Sequence, residues 1–260
     1  MNLTDDMVLK FQKGSPLLFE DICVIRSPKL GEVVDIGYGN FGKYIQVLMT
    51  EKPLVDEDSE MGKLIDELTT FQYFLLICQV DEDVNRIAKE AFKFFTGDDV
   101  VFSIEPAQIV FGDLDEERVM GEEQFFDFRR LIKRICFLEV DEKEIIVYKD
   151  DSPAVKALKK QMMRNRERVA KAKAKKNSQS SAGDGIELSD LIGSLPFGNC
   201  GLNMENIWNI TYYSFRDQVK RMGWHETFDI NQRAALAGAK IKKSQLKHWI
   251  KAISSEDKSD

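Results

Sequence analysis

Asp81-Glu-Asp-Val-Asn-Arg-Ile-Ala-Lys-Glu-Ala-Phe-Lys-Phe-Phe-Thr-Gly97 is the stretch that decides the fold. Asp81 is a good helix cap and Gly97 a good helix stop, and Val84, Ile87, Ala88, Ala91 and Phe95 fall on one stripe between them. Directly afterwards, Val100-Val-Phe-Ser-Ile104 and Gln108-Ile-Val-Phe111 flank Glu105-Pro106-Ala107, which reads as a β-hairpin. A capped helix running into a short hairpin, with too few strands nearby for a large sheet, predicts a small α+β domain.

Working outward, Phe71 to Val80 fits either a buried helix or a buried strand, and helix is preferred because Thr70 could cap it. Ser27-Pro28 predicts a helix over 29–35, with serine as cap and proline in the first turn. Met61, Leu64, Ile65 and Leu68 follow helical spacing, Phe125, Phe128, Ile132 and Ile135 mark a further helix, and Glu144-Ile-Ile-Val-Tyr148 a short strand. Together these define a mixed domain over residues 1–152.

A change of charge follows. From Lys156 to Lys176 the chain carries ten Lys/Arg and a single acid, Glu167, a local +9 against a whole-chain charge of −7 that leaves −16 on everything else. Residues 153–185 thus form a basic helix running into a Ser/Gly stretch, whose composition predicts a flexible coil. Val155, Leu158, Met162 and Val169 make a thin apolar stripe along that helix. A molecule polarised in this way usually grips an anionic polymer, an acidic protein or its own acidic surface.

Residues 186–253 read as an all-helical module. Trp208, Tyr212, Phe215, Val219 and Met222 are spaced four, three, four, three. Gly223 is expected to end that helix, Asp229 to cap a second with Ile230, Ala234 and Ala237, and Ser244 to cap a third with Leu246, Trp249, Ile250 and Ile253. The tail, 254–260, has no apolar anchor and is expected to fray.

Signals for covalent chemistry are weak throughout. Gly37-Tyr-Gly-Asn-Phe-Gly42 matches the G-x-G-x-x-G dinucleotide fingerprint, but the residues before it read as the end of a helix and no βαβ unit follows, so a helix stop and turn is the better account. The acidic clusters at 56–60 and 113–117 lack the alternating ligands and closing Glu of a calcium loop. Cys23, Cys78, Cys136 and Cys200 are scattered singly and read as small buried hydrophobes. His225 and His248 have neither a nucleophile elbow nor nearby metal-ligand spacing. The expectation is a protein that is not an enzyme, with no cofactor, no metal and no membrane span, working in the cytoplasm. The basic helix lacks aromatic residues between Lys156 and Lys176, so it offers no stacking platform for single strands.

Ile210-Thr-Tyr-Tyr-Ser-Phe-Arg-Asp-Gln218, Ala234-Ala-Leu-Ala-Gly-Ala-Lys240 and Lys247-His-Trp-Ile250 resemble the C-terminal part of tail assembly chaperones of phages and prophages of Gram-positive bacteria. Ile25-Arg-Ser-Pro-Lys-Leu-Gly-Glu-Val-Val34 and Ala91-Phe-Lys-Phe-Phe-Thr-Gly97 look like related phage morphogenesis proteins. The likeness is best over roughly the last fifty residues. It implies a protein of the bacterial host cytoplasm that coats the helical tape measure protein and recruits tail tube subunits. A permanent tail or baseplate component and a nucleic-acid-binding adaptor using the basic linker are the alternatives, and self-association stays open. Candidate partner-binding residues are Lys159, Lys160, Arg164, Arg166, Arg168, Lys171 and Lys173 on the linker, and Trp208, Tyr212, Phe215 and Trp249 on the module, although each of these aromatics taken singly reads better as part of the module's own core.

Overall fold

The computed structural model describes residues 4–53, 64–65, 67–112, 118–138, 152, 154–155, 157–159, 161–162, 164–165, 168, 187–198, 201–242 and 250. The fold is α+β, two small antiparallel sheets set among helices. The order begins α1 (Asp5–Lys13), β1 (Leu17–Phe19), β2 (Cys23–Ile25), α2 (Leu30–Asp35), α3 (Tyr38–Leu48) and α4 (Thr70–Val80). It continues with α5 (Glu82–Thr96), β3 (Val100–Ser103), β4 (Gln108–Phe111), β5 (Arg118–Met120) and α6 (Glu122–Ile135). Then come α7 (Leu188–Ser194), two short 3₁₀ turns and α8 (Tyr212–Leu236).

Helix α5 forms as its ends predict. The Asp81 side chain accepts from the backbone N–H groups of Asp83 and Val84, each at 3.0 Å. Gly97 takes φ 85° and its N–H donates to the Lys93 carbonyl, a conformation glycine adopts without a Cβ penalty. Arg26 then occupies the carbonyls left over at this end, its backbone N–H donating to Phe95 O and its Nε to Phe94 O. At α4 the cap is Thr69 rather than Thr70, and its hydroxyl accepts from Gln72 N while Gln72 Oε1 accepts from Thr69 N. This reciprocal box satisfies two orphan donors, which a cap one residue later could not do.

The expected hairpin forms, with Val100 opposite Phe111, Phe102 opposite Ile109 and Ser103 opposite Gln108. Strand β5 extends it on the other side of β4. Alternate residues, Val100, Phe102, Ile109, Phe111 and Met120, are buried, and Phe102 meets Phe74 of α4 and Phe92 of α5. There Phe92 stacks on Phe128 at 5.1 Å and meets Phe111 edge-on at 5.6 Å. Arg129 is buried in α6 with its guanidinium 5.7 Å from the centroid of the Phe125 ring.

Two local expectations need correction. The helix at 29–35 starts at Leu30, and its first turn is closed by Glu32 Oε2 accepting from Lys29 N at 2.8 Å, so Ser27 is not the cap. Pro28 instead offers its carbonyl to Tyr212 N, 2.8 Å away. In the third segment, α8 passes straight through Gly223 and Asp229. A lone glycine costs a helix only about 1 kcal/mol. Here Asp229 pairs with Arg233 at 2.7 Å across one turn, a partner that competes with capping. Met61, the strand at 144–148, the Ser/Gly stretch and the helix at 244–253 lie outside the described residues, Ile250 excepted.

The first turns of α8 close the core of the first segment. Leu30 N donates to Ile210 O, and Lys29 and Thr211 form an isolated antiparallel bridge. Tyr212, Tyr213 and Phe215, together with Ile192, Leu195 and Ile207, belong to the same buried cluster as Phe11, Phe41 and Phe95. Gly14 shows how close the approach is. It has φ 77°, and a Cβ placed there would sit 2.9 Å from Thr211 Cγ2.

Candidate partner-binding surface

The aromatic candidates are held by packing. Phe215 is fully buried, and Tyr212 lies edge-on to Phe41 with centroids 5.0 Å apart. Burial, then a hydrogen bond and charge interaction with Tyr38, push the Tyr212 hydroxyl well above its usual range. Trp208 is half-buried, donates its indole N–H to Met204 O at 2.8 Å and covers Gly31, where an added Cβ would meet the Trp208 carbonyl at 3.1 Å. The contact of these side chains is with α2, α3 and the core of the first segment, so Tyr212 and Phe215 present nothing to a partner in this conformation. Trp249 lies outside the described residues.

Below them a polar clamp fixes α8 to α1. Asp217 is buried and accepts from Arg221 Nε at 2.9 Å and from Gln12 Nε2 at 3.2 Å. Ser214 Oγ donates to the Gln12 carbonyl at 2.9 Å. Charge-assisted bonds of this kind satisfy a carboxylate that burial alone would penalise. Sequence reading missed the clamp because Gln12 and Asp217 are 205 residues apart and neither belongs to a local motif.

The basic helix is different. Its described residues between 154 and 168 are all helical. Val155, Leu158 and Met162 are 39%, 58% and 45% exposed. Arg164 and Arg168 are exposed as well, and Lys159 is half-exposed. Lys160, Arg166, Lys171 and Lys173 lie outside the described residues. This helix therefore brings cations and unburied apolar side chains together on one element, which the aromatic group does not.

Of the remaining sequence signals, the glycine motif and three of the four cysteines fall on described residues, whereas the acidic clusters at 56–60 and 113–117, Cys200 and His248 lie outside them. Gly37 has φ 84° and links α2 to α3, so helix precedes the glycine motif where a dinucleotide fold would have a strand. Cys23, Cys78 and Cys136 are free and buried. Burial foremost, with Asp98 and Asp81 as nearby charges, pushes the Cys23 and Cys78 thiols up to about 12, and burial raises Cys136 too. An open cleft of about 360 Å³ on α4 and α5 is lined by Cys78, Gln79, Glu82, Asn85, Arg86, Lys89 and Glu90. Its Arg86 and Glu90 pair with each other at 2.9 Å. Among the described residues no cluster of His, Cys, Asp and Glu is arranged to hold a metal ion, and no helix is long and apolar enough to cross a membrane.

Residues 174–254 match the family described as the YomV second domain, a phage-associated family. The match takes in the end of the basic segment and the helical segment that follows. No curated protein and no solved structure matches the chain.

Proposed function

We propose that this protein is a non-enzymatic assembly chaperone of a phage tail, which holds the helical tape measure protein and recruits tail tube subunits. The phage setting is supported by the match over residues 174–254, which includes the part where the resemblance to tail assembly chaperones is best. The holding role rests on one observation, the exposed row Val155, Leu158 and Met162 on a cationic helix. An amphipathic client helix needs an apolar surface to lie on, and a row of exposed apolar side chains along one helix can supply it.

The test is co-production with the tape measure protein encoded by the same phage. The expected result is that the client stays soluble and co-elutes with this chain, and that purified particles analysed by mass spectrometry lack the chain. A client equally soluble alone would contradict the reading. Finding the chain in finished particles would favour a permanent tail component. Salt-sensitive gel shifts with DNA or RNA, without client binding, would favour the nucleic-acid adaptor.

A further inference from the structure

The exposed row on the basic helix has heptad spacing. With Val155 as position a, Leu158 falls on d, Met162 on a, Asn165 on d and, in the sequence, Val169 on a. Val155, Leu158, Met162 and Asn165 are all helical and exposed. Among the described residues the flanking e position is then Lys159 and the g positions are Gln161 and Arg168. None is acidic, and the sequence from Lys156 to Lys176 holds one acid, Glu167, against ten Lys/Arg.

From this register we infer that the basic helix is one strand of a heterotypic coiled coil, whose partner is an amphipathic helix with acidic residues at its own e and g positions. The inference rests on the reading that the chain holds a helical client, and it names the chemistry of the client segment held here. The charges select against the other occupants. Two copies of this segment would bring together two stretches that each carry ten Lys/Arg and one acid, so like charge opposes self-pairing. A nucleic acid would meet the cations yet leave Leu158 and Met162 uncovered. A lipid surface favours an apolar face of about 100° or more, whereas this row is a narrow seam interrupted by Asn165. Asn165 in the seam would cost some affinity while fixing the register of the pair.

The probes are two fluorescent synthetic helices of about four heptads with Leu at every a and d, one carrying Glu and the other Lys at every e and g. Each is titrated with the full-length protein. The Glu helix is expected to bind about tenfold or more tighter at low salt, with the gap closing near 1 M salt. Leu158→Ser with Met162→Ser should weaken that binding about tenfold. Lys159→Glu with Arg168→Glu should shift preference toward the Lys helix. Asn165→Leu completes the seam and should tighten binding several-fold, a gain that misfolding cannot produce.

Equal binding of the two helices, binding of neither, or no gain from Asn165→Leu overturns the inference. So does self-association through this helix, or displacement of the Glu helix by phosphatidylserine vesicles or duplex DNA. Binding of the Glu helix without binding of the tape measure protein leaves the seam standing and removes the chaperone reading. The converse removes the seam alone.

Discussion

Two helices of this molecule carry apolar residues at alternating three- and four-residue steps, and they meet opposite fates. On α8 the row Tyr212, Phe215, Val219 and Met222 is packed against α1, α2 and α6. On the basic helix the row Val155, Leu158 and Met162 stays in water. Periodicity alone does not separate them; side-chain size and flanking charge do. Tyr212 and Phe215 bring large rings that fill space beside Phe41, while Asp217 on the same helix finds Gln12 and Arg221. The basic helix has small and flexible apolar residues hemmed by cations whose burial would cost far more than the row could return. One row is therefore core and the other is left for a partner.

The largest effect should come from emptying the filled row. Phe215→Ala is expected to lower the unfolding free energy by about 3–5 kcal/mol in urea titration, since the surrounding rings cannot collapse into the space. If Phe215→Ala costs less than Leu158→Ala, the assignment of core and free face is reversed.

Alkali tests the same contrast through the thiols of the packed region. Unfolded cysteines release their protons near 9.0, but folded Cys23 and Cys78 hold theirs until about 12. Deprotonation therefore favours the unfolded chain. Stability should be intact below pH 9 and fall as the pH rises toward 12, by about 1.4 kcal/mol per pH unit for each thiol. Iodoacetamide at neutral pH should leave these three buried cysteines unmodified until denaturant is added, as mass spectrometry of the peptides would read.

Gly14→Ala is a smaller change at the seam between first and third segments. Its positive φ and the nearby Thr211 methyl should make alanine cost about 1–3 kcal/mol, measured as a lowered midpoint in urea. The contact also shows where sequence reading stops. Asp81, Gly97 and the hairpin were legible because each signal is local, a cap, a stop or a two-residue alternation. Strands β1 and β2 span three residues each, too few for a period to register. Helix α1 buries only Met7 and Phe11, and α3 begins within a glycine-rich stretch that read as a break. The insertion of Tyr212 beside Phe41 depends on pairing across the whole chain, which no stripe on α8 could reveal. Of the candidate residues, the cations of the linker were visible as composition and the burial of Tyr212 and Phe215 as a one-faced stripe; that they close the core of the first segment was not.

The smallest effect is expected on the exposed row. Leu158→Ala should change unfolding free energy by less than about 0.5 kcal/mol, because the side chain is already in water. A larger loss would mean that the row is covered within the chain itself.

Hydrogen exchange with and without the tape measure protein tests the central contrast most directly. The account predicts that amides around Tyr212 and Phe215 are strongly protected in the free protein and unchanged by the client, while those around Leu158 and Met162 exchange quickly when free and slow on binding. New protection confined to the Tyr212 region, with the basic helix unaffected, would contradict it.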